Sequence, residues 1–178
     1  MAAAQIQLNL TFLPVEDRLL LRIASGKFGE MEEYRLLLTR RLVKLLWNAL
    51  DQMLEIYTTL DPRIQPEGRS AFKQFQQSAA LSQTDFATPY TSGNLTAPLG
   101  ANPLLIYKFQ ASKGTGDNHI LSLEATTGQI INITLSLQII YSLRKLLADI
   151  IKETEWDLHL SIIPDDALFI AEASRTIN

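Results

Sequence analysis

Cysteine is missing altogether from this chain of 178 residues. That absence excludes disulfides, thiolate metal sites and a cysteine nucleophile, and it removes the usual mark of an oxidising compartment. Histidine is nearly as scarce: the chain has two, His119 and His159. Neither is followed by a second histidine or a carboxylate at i+3 or i+4, the spacing that places two metal ligands on one helix face. Both read as outward-facing strand residues, and no metal or cofactor is expected.

Long apolar runs are absent too. Charged or amide side chains punctuate every leucine-rich segment, so none approaches the ~20 residues that a membrane-spanning helix takes. The opening Met1-Ala2-Ala3-Ala4-Gln5 carries no basic leader, and Gln7 and Asn9 interrupt the apolar stretch behind it, which argues against a secretory signal. The expected setting is the cytoplasm, without a membrane partner.

Basic charge is in short supply overall, with a formal net charge of -3. A surface that attracts nucleic acid everywhere is therefore not expected. The balance shifts along the chain: residues 1–57 hold seven Lys and Arg against seven Asp and Glu, whereas residues 103–178 hold six against nine.

What is present is a pattern that occurs twice. Leu36-Leu37-Leu38-Thr39-Arg40-Arg41-Leu42-Val43-Lys44-Leu45-Leu46 lies on Ile133-Thr134-Leu135-Ser136-Leu137-Gln138-Ile139-Ile140-Tyr141-Ser142-Leu143 at an offset of 97 residues. Leu8, Leu10 and Phe12 fall on Leu105, Tyr107 and Phe109 at the same offset. Leu19 to Gly26 falls on Leu121 to Gly128 at an offset of 102. The slip requires about five extra residues before this block in one copy and after it in the other, in polar, glycine-bearing stretches where insertions are tolerated. Leucine-rich amphipathic segments also align by chance, but three blocks in one order favour an internal duplication.

The period-2 and period-3.6 patterns predict an α+β fold: a duplicated unit of three antiparallel strands plus one amphipathic helix, with a C-terminal strand. Residues 1–57 form the first unit, 58–102 a polar, proline-bearing connection, and 103–178 the second unit plus the final strand, together in one compact domain. Inward residues are Leu8, Leu10 and Phe12, then Leu19, Leu21 and Ile23, then Tyr34, Leu36 and Leu38. Their counterparts are Leu105, Tyr107 and Phe109, then Leu121, Leu123 and Ala125, then Ile131, Ile133 and Leu135.

Thr39 and Ser136 stand where a helix N-cap belongs. The first helix is expected to bury Leu42, Leu45, Leu46, Ala49, Leu50 and Met53. The second is expected to bury Ile139, Ile140, Leu143, Leu146, Leu147 and Ile150, with Ser142, Arg144 and Lys145 in water. Within the connection, Arg69 to Leu81 predicts a short helix over the sheet, and Ser82 to Asn102 a looser stretch. Leu158, Leu160 and Ile162 predict the last strand, ended by Pro164.

No motif of catalysis stands out. Ser70 with Lys73 and Ser142 with Lys145 have a Ser-x-x-Lys spacing that arises readily by chance, without the companion motifs of the hydrolases that use it. Ser25-Gly26-Lys27-Phe28-Gly29 lacks Walker spacing and reads as a hairpin turn, and Pro164-Asp165-Asp166 reads as a turn. The remaining cluster is basic. Arg35, Arg40, Arg41 and Lys44 lie at the junction of the third strand and the first helix, with Arg18 and Arg22 on the neighbouring strand. They are candidates for an anion or nucleic-acid contact at a helix N-terminus. The same residues also read as a solvated face neutralised by Glu30, Glu32 and Glu33. The second copy has Asn132, Leu137 and Gln138 in place of Arg35, Arg40 and Arg41, so such a role is confined to the first.

The duplicated strand-and-helix unit resembles the Whirly and PUR-type single-strand nucleic-acid binders, over roughly two thirds of the chain and without a sequence motif. That resemblance implies aromatic and basic groups on an exposed sheet face, where bases stack and phosphates are neutralised. Here Tyr34, Tyr107 and Phe109 are assigned to the core. The first expectation is therefore a non-enzymatic interaction or assembly protein, with a protein partner or self-association, suggested by the paired units, the amphipathic helices, Trp47 and Trp156. Single-stranded nucleic-acid binding is the alternative.

Overall fold

The computed structural model describes residues 5–27, 30–59, 64–90, 95–158 and 160. Among these residues it is an α+β fold with one six-stranded sheet and three helices. Strands β1 (Gln5–Leu13), β2 (Arg18–Lys27) and β3 (Glu30–Thr39) form an antiparallel meander that runs into helix α1 (Arg40–Thr59). A single 3-10 turn, Pro66–Gly68, leads into helix α2 (Arg69–Ser82). Strands β4 (Leu104–Lys113), β5 (His119–Ala125) and β6 (Ile130–Leu135) form a second meander that ends in helix α3 (Leu137–Ile151).

The strands lie in the order β1-β2-β3-β4-β5-β6. The central join is parallel and short, pairing Leu36 with Leu104 and Leu37 with Leu105. Parallel neighbours need a crossover connection, and α1, α2 and the following segment supply it. The rest of β3 is completed by that segment: the Glu33 N–H donates to the Thr96 carbonyl at 2.8 Å and the Thr96 N–H to the Met31 carbonyl at 3.0 Å. The stretch expected to be loose is thus partly pinned to the sheet.

Strand parity follows the sequence in β2, β5 and β6. Leu19, Leu21 and Ile23 are buried, as are Leu121, Leu123 and Ala125, and Ile131, Ile133 and Leu135. It fails in β4. Ile106 pairs with Ala125 and Lys108 with Glu124, so Tyr107 is the extra residue of a bulge. A bulge shifts the alternation by one residue. Ile106 is therefore buried, while Tyr107, expected in the core, is 55% exposed.

Leu21 of β2 and Leu121 of β5 line the same apolar void, of about 10 Å³, with Leu8, Leu38, Leu123, Ile133 and Leu135 and with helix residues Leu46, Ile139 and Leu143. In a flat sheet, β2 and β5 would be about 14 Å apart. The sheet curls so that one core serves both halves. A void that holds about one water-sized sphere is a packing gap and not a ligand pocket.

Both expected caps form: Thr39 Oγ1 accepts from the Leu42 N–H at 3.3 Å and Ser136 Oγ from the Ile139 N–H at 3.4 Å. The buried face of α1 is rotated from expectation. Val43 and Trp47 are buried while Leu45 is 46% exposed, because Trp47 meets α3, where the Arg144 guanidinium lies 4.5 Å over its ring. Arg144, expected in water, has a side chain only 11% exposed that pairs with Asp51 of α1 at 2.6 Å. Ser142, also expected outside, is buried.

The cause is α2, which packs on α3 and α1 rather than on the sheet. Helix α3 is enclosed between α2 and the strands, and buries Tyr141, Ser142 and Ala148 beside its leucines and isoleucines. After α3, Trp156 is buried against Phe12, with ring centroids 5.9 Å apart. Leu158 and Leu160, expected to open a strand, are not in one; they pack on the core in irregular chain. His159, Ile162, Pro164, Asp165 and Asp166 lie outside the described residues.

Candidate functional site

Antiparallel register sets Arg22 directly opposite Arg35 on the outer face of the first meander. Two guanidinium groups side by side repel unless an anion joins them. Glu33, two residues before Arg35 and so on the same face, supplies an anion to Arg35 and is only 2% exposed. Arg35 donates through Nε to Glu33 Oε2 at 2.7 Å, and its Nη2 lies 2.6 Å from the same oxygen. The Tyr90 hydroxyl donates to Oε1 at 2.9 Å. Burial, and next the bond to Glu33, push the Tyr90 phenol well above its ordinary pKa.

The connection meets this face at Tyr90 and again at Ala101. Arg22 lies 5.1 Å over the Tyr90 ring and donates through Nε to Asn9 Oδ1 at 3.1 Å, while Arg35 Nη1 donates to the Ala101 carbonyl at 3.0 Å. The expected wet face is thus contacted by a strap, the connection at Tyr90 and Ala101, with Arg35 paired to Glu33 and Arg22 held by Asn9 and the Tyr90 ring.

The other four basic residues fall in two further places. Arg18 pairs with Glu16 at 3.5 Å and Arg40 with Asp17 at 3.8 Å. Asp17 holds the β1–β2 turn at a positive φ of 52° and also accepts from Trp156 Nε1. Arg41 and Lys44 are exposed in the first turns of α1. The six candidates thus form no single cleft: Arg22 and Arg35 lie beneath the strap, Arg18 and Arg40 border the turn, and Arg41 and Lys44 face water. Of the carboxylates expected to neutralise them, Glu33 pairs with Arg35; Glu32 accepts instead from the Tyr34 hydroxyl at 2.8 Å.

A second polar group lies on β5. His119 is buried, not outward as expected, and its Nδ1 lies 3.2 Å from the Tyr57 hydroxyl, with the two rings edge to face. Burial, and next the Lys113 charge, hold the imidazole below its ordinary pKa. Burial, and next Asp117, raise the Tyr57 phenol. Both are therefore neutral near pH 7 and share one hydrogen bond. The signal is present in the sequence: His119 has the same parity as Leu121, Leu123 and Ala125.

The two Ser-x-x-Lys spacings come apart. Lys73 pairs with Glu55 at 2.8 Å and Lys145 with Asp149 at 3.0 Å. Ser142 donates to the Gln138 carbonyl at 2.8 Å and shares a 3.0 Å hydrogen bond with Thr84, docking the end of α2 on α3. No group of three or more metal-binding side chains exists among the described residues.

The outer strands differ from all the others. Neither β1 (QIQLNLTFL) nor β6 (IINITL) contains a charged residue or a proline, whereas each strand between them carries charge. On β6, Ile130 is 61% exposed and Asn132 and Thr134 are exposed beside it. On α1, exposed Leu45 and Ile56 are 11 residues apart, three helical turns, and share one face.

Among the described residues, no helix is long and apolar enough to cross a membrane. Comparison with protein-family models, with curated proteins and with solved structures finds no match to this chain.

Proposed function

We propose that this chain is a non-enzymatic interaction or assembly protein of the cytoplasm that works through protein–protein contacts. The observation that carries the reading is the pair of uncharged outer strands. Proteins that stay apart blunt a sheet edge with lysine, proline, a bulge or a very short strand. Here the bulge and the charges sit in inner strands, and the edges are plain. The apolar Leu45 and Ile56 on the outside of α1 add a second surface suited to docking.

We further propose that the two halves arose by duplication. Support comes from the repeated strand-strand-strand-helix order, from the hydroxyl caps at Thr39 and Ser136, and from the void, where Leu38 and Leu135, Leu46 and Leu143, and Leu21 and Leu123 are matched pairs at the sequence offsets.

Light scattering and sedimentation over a wide range of concentration test the assembly reading. Concentration-dependent association is the expected result, and a monomer throughout would overturn self-association. Nucleic-acid binding has the narrower support of Arg41 and Lys44 at a helix N-terminus. Titration with labelled single-stranded DNA and RNA at two salt concentrations decides it, since phosphate contacts weaken with salt; no binding at low salt removes this alternative.

A further inference from the structure

We propose that the β6 edge pairs with the β6 edge of a second copy, antiparallel and about a two-fold axis normal to the sheet, joining two sheets into one. This rests on the assembly reading and names its surface.

The two edges are not equivalent. Helix α3 packs on β1 and Trp156 on Phe12, and the described side chains of β1 are all buried or half-buried. On β6, by contrast, Ile130, Asn132 and Thr134 are all exposed, and among the described residues β5 is its only neighbour in the sheet. An edge strand has unpaired backbone donors and acceptors along one side, and another strand is the partner that satisfies them in series.

The second copy is selected by self-complementarity. An uncharged strand meets itself without like-charge repulsion. Residues directly opposite in an antiparallel pair point to the same face, so under this axis outer residues must meet outer ones. Centring the pair on Asn132 sets Ile130 against Thr134 of the partner subunit and Ile131 against Ile133 of the partner subunit. The exposed Ile130 is then covered by a β-branched side chain, and Ile131 and Ile133 extend the core across the join. Centring it on Ile133 would carry Ile130 past the end of the partner strand. Asn132 fits the axis: its Oδ1 accepts from Ser122 Oγ at 2.6 Å, which leaves its amide N–H groups for Asn132 of the partner subunit.

The test uses the full chain. Thr134→Lys places a charge on the edge without touching the core and is expected to raise the concentration of half-association by at least about tenfold. Val15→Lys, in the fully exposed β1–β2 turn, should leave it unchanged, and circular dichroism confirms that both variants fold. Asn132→Cys adds a thiol to a chain that has none, and under mild oxidation it should give a disulfide-linked dimer at low concentration, because opposite residues approach closely enough to be bridged. Association that survives Thr134→Lys, with no cross-link formed by the Asn132→Cys variant, overturns this edge and leaves the assembly reading standing. A wild-type chain that is monomeric throughout overturns both.

Discussion

The two strand-strand-strand-helix halves have the same element order and opposite outer surfaces. In the first half, the outer face presents Arg22, Glu33 and Arg35 and is closed by the strap through Tyr90 and Ala101. In the second, the last strand presents Ile130, Asn132 and Thr134 to solvent. A common inner face places little constraint on the outer one. In one half Arg35 and Glu33 pair beneath the connection, and the other half ends on an uncharged strand.

The largest test addresses what the halves share. Leu21→Ala and Leu121→Ala, on opposite sides of the common void, should each lower stability by about 3 kcal/mol and keep a single cooperative unfolding transition. Calorimetry or urea melts showing two transitions, with each variant moving only one, would mean two cores instead of one.

Next comes the bond between the halves' helices. Arg144→Ala removes an ion pair with Asp51 and the cover over Trp47. Because Asp51 is part-exposed, a loss of about 2 kcal/mol is expected, below the range for a fully buried pair. Arg144→Met keeps packing on Trp47, so its own loss relative to wild type reports the charge and the further loss in Arg144→Ala reports the packing.

Tyr90→Phe asks whether the strap contributes to the first half alone. Losing one hydrogen bond to Glu33 should cost about 1 kcal/mol and speed proteolytic nicking of residues 84–103. Unchanged stability and unchanged cleavage would show that Arg35 suffices to hold the Glu33 carboxylate.

The smallest effect belongs to His119 in the second half. Its folded pKa lies below the ordinary value, so the unfolded chain takes up the proton first as pH falls. Stability should be unaffected above about pH 6.5, the unfolded value, and should decline as pH drops from there toward the folded pKa. His119→Phe should flatten thermal melts across that window, and a wild-type profile already flat there would remove the effect.

Much of the fold was legible because neighbours along the chain dictate it. Alternation in Leu19–Ile23, Leu121–Ala125 and Ile131–Leu135 assigned the inner faces, and hydroxyl residues before each apolar stripe marked the caps. The departures share one cause. Tyr107 turns outward at a bulge that depends on its partner strand, and Trp47, Ser142 and Arg144 are buried by segments far away in sequence. His119 is the exception, since parity already places it inside and only its polarity suggests an outward position.

The basic candidates show the same division. Arg18, Arg22, Arg35, Arg40, Arg41 and Lys44 are a cluster in sequence, but only the packed chain sorts them into a strapped pair, a turn and an exposed helix start. The sequence was enough for the six strands of the sheet, the helices, their caps and most of the inner face, though not for the chain after α3, because side-chain period and capping chemistry act over a few residues. The tertiary structure alone decided how the sheet curls around one core, which faces of α1 and α3 are covered, where the connection is pinned and which edge stays open. Those depend on contacts between residues dozens of positions apart, which no local pattern encodes.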